Sequence, residues 1–154
     1  MSMDIPRNQW VRCLTAVDQA ELARAVHAIT SRFKMEHRSL PESGLGLLQM
    51  RDAALNQNYF LGEFPVASAH VALIDDDGNE HRGAAYVMAE DDQQAIRLAV
   101  CDAVLAHGLP GVAALQKLLA AGQRRRAAEE RERKGMLSST KVAFNLLSDV
   151  GDDD

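Results

Sequence analysis

Val66-Ala67-Ser68-Ala69-His70-Val71-Ala72-Leu73-Ile74, then Asp75-Asp76-Asp77-Gly78-Asn79, then Glu80 to Ala89, reads as a β-hairpin that feeds a helix. The two arms are apolar-rich, and the acidic Gly-Asn segment between them carries turn residues. Asp91 with Gln94 three residues later has cap spacing, so a helix opens there. Ile96, Ala99, Val100, Ala103 and Val104 form its apolar stripe. His107 falls in the last turn, Gly108 just past it and Pro110 beyond, which is a full set of stop signals.

Working back from the hairpin, Tyr59-Phe60-Leu61-Gly62-Glu63-Phe64 predicts a strand closed by Pro65, and Asp52 to Gln57 a connecting loop. Leu45 to Arg51 predicts a strand with apolar residues on both faces near its start. Glu42-Ser43-Gly44 is turn-like, and Met35 to Leu40 suits a short edge strand ended by Pro41. Strands this close in sequence are most simply paired antiparallel as a meander. Upstream, Asp18 to about Arg32 is an amphipathic helix with Leu22, Ala25, Val26, Ile29 and Phe33 at helical intervals. Pro6 suits the first turn of a shorter helix carrying Trp10, Val11 and Leu14.

Working forward, a helix after Gly111 carries Leu115, Leu118 and Leu119 and is weakened by Gly122. Arg125/Glu129, Arg126/Glu130, Glu129/Arg133 and Glu130/Lys134 then supply opposite charges four residues apart. Such a helix stands in water and either projects or lies on a partner. Gly135 is expected to end it. Ser139 to Leu147 returns to apolar character, and Gly151-Asp152-Asp153-Asp154 is a solvated acidic tail. The expected fold is α+β: an antiparallel sheet of about four strands flanked by helices, with a charged helical C-terminal arm. Residues 1–122 form the core domain and 123–154 the charged helix and docking tail. Partner binding is assigned to Val142, Phe144, Leu146 and Leu147, together with Arg125 and Arg126.

At 154 residues, 47 % hydrophobic and 25 % charged, the chain is one globular domain with a real core. A net charge of −5 gives no global field toward nucleic acid or anionic lipid. No apolar run approaches the roughly 20 residues of a membrane span, and Met1 to Arg7 lacks the apolar core of a secretory signal. Cys13 and Cys101 form neither a disulfide framework nor a zinc spacing, and read as reduced, half-buried thiols of a cytoplasmic protein.

No catalytic constellation emerges. The turn residues Asp75 to Asn79 put Gly78 fourth, whereas a calcium loop needs glycine sixth. His70 and His81 on one face would begin a metal site, but no third ligand is evident, so both read as strand residues. Gly44-Leu45-Gly46 has no following lysine, and no nucleophile elbow occurs. Arg124-Arg125-Arg126 with interleaved glutamates is a solvated helix face before it is a phosphate site.

With its elements in this order, the chain resembles the G subunit family of the bacterial carbon–phosphorus lyase core complex. The likeness is carried by Arg7 with Trp10 and Leu14, Ala20-Glu21-Leu22-Ala23, Glu42-x-Gly44-Leu45 and Gln49-x-Arg51. It continues through Tyr59-Phe60-Leu61-Gly62-Glu63, Val71-x-Leu73, Asp102-Ala103-x-Leu105 and Ser139-Thr140-Lys141-Val142 with Phe144. The chain departs from the family pattern at Ala67-Ser68, Ala72 and Glu90. The resemblance implies a non-catalytic subunit of a multi-subunit transferase. It is needed with H, I and L proteins to displace adenine from ATP with an alkylphosphonate, giving a ribose phosphonate triphosphate. The implied partners are H-, I- and J-type subunits and the complex's ATP-binding-cassette protein. No cofactor of its own, no nucleic acid and no membrane are expected. The alternative is a free-standing binding or scaffold module with the same fold and another partner.

Overall fold

The sheet is built on one strand. The computed structural model describes residues 5–148, with side chains described to residue 138. Four antiparallel strands form the sheet, and β3 (Asn58–Ile74, 17 residues) pairs with all the others. β4 (Glu80–Val87) lies along one edge of its second half, from Ala67↔Val87 to Ile74↔Glu80. β1 (Lys34–His37) and β2 (Glu42–Arg51) follow one another along the opposite edge.

Three expectations are corrected here. The strands are not a full meander, because β1 and β2 both pair with β3 and not with each other. Residues 38–41 take the place of Ala69 and His70 alone on β3, so the chain steps out at Pro41 and re-enters the same edge. Glu42, Ser43 and Gly44 are strand, not turn. Pro65 does not close a strand either, since β3 runs straight through it. The His70 carbonyl accepts from Arg38 N–H on the β1 side, so odd-numbered residues of β3 turn their backbone groups to the other edge. Beside Pro65 that edge is unpaired, because β4 ends opposite Ala67, and the missing N–H costs no ladder bond.

The helices lie on one face. α3 (Asp92–His107) starts at Asp91, whose carboxylate accepts from Gln94 N–H at 3.2 Å, and stops at Gly108 with φ 63°. Both ends are those expected from sequence. α3 lies directly on β4: a Cβ at Gly83 would overlap the Ala99 carbonyl oxygen. Ala69, Val71 and Leu73 of β3 share the core with Leu98, Val100 and Val104. α2 (Gln19–Thr30) is capped by Asp18 accepting from Glu21 N–H at 2.8 Å, as its spacing predicts. A short 3-10 turn (Arg7–Gln9) leads into α1 (Trp10–Leu14). Cys13 and Cys101 are both buried, deeper than the half-burial expected. Burial pushes the Cys101 thiol up to about 12, so it is an inert core side chain.

α4 (Val112–Ser148, 37 residues) is one continuous helix. Gly135 does not end it. A single glycine costs about 1 kcal/mol against alanine, and helix formers on both sides outweigh that. Gly122 has a packing role: a Cβ there would overlap the Cys13 carbonyl oxygen, so α1 and α4 touch backbone to backbone.

Candidate functional site

Two elements leave the packed core. The first is a two-stranded ribbon formed by β2 and residues 58–66 of β3. β3 spans about 56 Å at 3.3 Å per residue, whereas the 16 residues of α3 span about 24 Å. The helical layer therefore covers less than half of β3, and the ribbon runs past it. Register sorts the ribbon's side chains into two faces. Leu45, Leu47 and Phe60 continue the helix-covered side of the sheet, and Leu48, Met50 and Tyr59 continue its open side. All six are between 41 % and 66 % exposed. Leu61 has no register partner, at a bulge where Leu48 pairs with Gly62 and Gln49 with Phe60. The Phe64 ring lies over Gly46, 2.7 Å from where a Cβ would sit. Full burial of a leucine or phenylalanine side chain is worth about 1.5–3 kcal/mol, so this is a large unspent driving force.

The second is the free end of α4. Leu115, Leu118 and Leu119 anchor its start in the core. Arg126 is the last anchor: its guanidinium donates to the Arg12 carbonyl at 3.2 Å and to Thr15 Oγ1 at 3.3 Å, bracing the end of α1. It also pairs with Glu129 at 3.4 Å, where Glu130 had been expected. Arg125 pairs with Glu129 at 3.6 Å and Lys134 with Glu130 at 3.1 Å, as the spacing predicts. Lys134, beside Glu130, holds that carboxyl below its usual range. Residues 127–138 are exposed throughout. Val142, Phe144, Leu146 and Leu147 lie on the last helical turns, but their side chains fall outside the described residues, as does the acidic tail.

The remaining candidates are structural. Asp75 organises the hairpin turn: it accepts from Asn79 N–H at 2.8 Å and Asp77 N–H at 3.1 Å, and its carboxylate lies 3.1 Å from His81 Nε2. The His81 and Asn79 hydrogen bonds pull its carboxyl down to about 2. His70 pairs with Ala84 and His81 with Leu73, which puts the imidazoles on opposite faces of the sheet, not on one. His81 instead meets His107 edge-on, with ring centres 5.3 Å apart. Among the described residues, no three histidine, cysteine or acidic side chains gather as metal ligands.

On the open face, Ser39, Ser68, His70 and Tyr86 line a shallow recess of about 310 Å³. Lys34, Glu36, Arg38, Glu80 and Arg82 form a chain of ion pairs beyond it, over the buried Ala72.

One pairing was invisible in the sequence. Arg7 donates twice to Asp102, at 2.8 and 2.6 Å, and Asp102 also accepts from Ala84 N–H at 3.0 Å. This carboxylate caps the free edge of β4 and ties the N-terminal turn to it. The ribbon had a partial signal: Leu45, Leu47 and Leu48 occupy both strand parities, and so do Tyr59, Phe60 and Leu61. Apolar character on both faces fits a strand buried on both sides, and among the described residues nothing buries this one.

The fold is thus a small α+β body from which the ribbon and the end of α4 extend. The family model of the phosphonate metabolism protein PhnG matches residues 5–148, and the chain belongs to that family, whose members are carbon–phosphorus lyase subunits. None of the curated proteins compared with it matches. No single helix among the described residues is long and apolar enough to cross a membrane.

Proposed function

We propose that this chain is an accessory, non-catalytic subunit of the carbon–phosphorus lyase core complex, acting through protein contacts and binding no cofactor of its own. It works in the cytoplasm beside H-, I- and J-type subunits and the ATP-binding-cassette protein. Its presence is needed, with H, I and L partners, for the transferase step that joins an alkylphosphonate to the ribose triphosphate of ATP with loss of adenine. The observation that carries this reading is the ribbon: six apolar side chains on two faces stand in solvent in a family of phosphonate-metabolising subunits. An exposed apolar surface of that kind marks a protein–protein contact. The end of α4 supports it, since residues 127–138 are exposed along the helix beyond its last anchor at Arg126.

Co-expression of the full chain with its H-, I- and J-type partners tests the reading. The expected result is a stable complex in which the chain is stoichiometric. Recovery of the chain alone, with the other subunits assembled without it, would overturn the reading.

A further inference from the structure

We propose that the ribbon is an insertion arm, clasped on both faces by an apolar cleft in a different subunit of the assembly. This rests on the subunit reading above and adds the mode of contact. Register places Leu45, Leu47 and Phe60 on one face and Leu48, Met50 and Tyr59 on the other. A flat partner surface would cover one set and leave the other in water. Of residues 44–50 and 59–66, only Glu63 carries charge, so the walls that receive them are apolar. Both edges are also open: among the described residues β2 pairs only with β3, and β4 reaches no further than Ala67. Covering both faces makes three stacked layers about 10 Å apart, hence a cleft whose walls stand about 20 Å apart.

The described residues of the chain do not provide that cleft. Two of its recesses, of about 310 and 270 Å³, are open hollows too small to take the six apolar side chains of a two-stranded ribbon. A second copy stacking its own ribbon face to face would bury one face of each and leave the other bare. The chain ends do not serve either: 149–154 contain four aspartates, 1–4 are too few, and 139–148 continue the single helix α4, which covers one face at most. A different chain is the occupant that covers both faces.

The test places the photo-crosslinker p-benzoylphenylalanine at Phe60 or, separately, at Tyr59 in the full chain, co-expressed with the H-, I- and J-type subunits. Both positions should crosslink to the same partner subunit. In parallel, Phe60→Arg and Tyr59→Arg should each lower the recovered complex about tenfold or more. Both side chains are exposed, so circular dichroism and thermal midpoint of the isolated variants should match the parent. Crosslinks from one face only, or to a second copy of this chain, overturn the clasp. A complex that forms equally well with both arginine variants also overturns it and leaves the subunit reading standing. A chain that recruits none of the three partners overturns both.

Discussion

At the scale of single residues, Asp102 is the side chain on which most depends. It is buried to 9 % exposure on α3, yet it serves Arg7 from the N-terminal turn and the edge N–H of Ala84. Asp102→Ala leaves that N–H without its partner and frees the turn, at a cost of about 1–3 kcal/mol. Urea unfolding should show it as a lower midpoint with an unchanged slope. Arg7→Ala should cost less, because its guanidinium is mostly exposed. Asp75 gives a pH signature. Its folded carboxyl lies near 2, below its ordinary 3.8, so the folded state holds the ionised form. Its contribution is complete above about pH 4 and disappears as pH falls through 2. The stability gap between the parent and Asp75→Asn should therefore close across that window, and a gap constant from pH 5 to pH 2 would contradict it. Asp18 and Asp91 were legible as caps because cap and N–H lie three residues apart. Arg7 and Asp102 are 95 residues apart, and no local pattern joins them.

At the scale of elements, two glycines of α4 make opposite predictions. Alanine in place of glycine normally gains a helix about 1 kcal/mol. Gly135 has open space around it, so Gly135→Ala should raise the thermal midpoint. At Gly122 the new Cβ meets the Cys13 backbone, which moves only if α1 moves. Overpacking of that kind costs about 1–3 kcal/mol and outweighs the propensity gain. Gly122→Ala should therefore lower the midpoint by several degrees. Sequence reading takes both glycines as weak points of a helix, and the difference between them is purely tertiary. The same holds for Pro65 and for Glu42-Ser43-Gly44, where local turn propensity yields to the ladder along β3. The helix periods and the hairpin turn were readable because their partners lie within a few residues.

At the scale of the whole molecule, core and projections separate. Truncation after Ser138 should leave the melting curve almost unchanged, since residues 127–138 are already exposed, and should weaken assembly. A truncated chain that fails to fold would show that the last turns of α4 belong to the core. The ribbon faces were the least legible feature. Sequence shows apolar strands, but not that α3 covers less than half the length of β3. That mismatch, about 24 Å against 56 Å, turns ordinary strand residues into a surface that needs a partner. The most direct measurement is capture of the tagged full chain from cells of its native organism growing on an alkylphosphonate as sole phosphorus source. The subunit reading predicts H-, I- and J-type proteins in fixed proportion to the chain, and the clasp predicts their loss when the ribbon residues Phe60 and Tyr59 are both changed to arginine. Recovery of the folded chain as a lone monomer from those cells would contradict it.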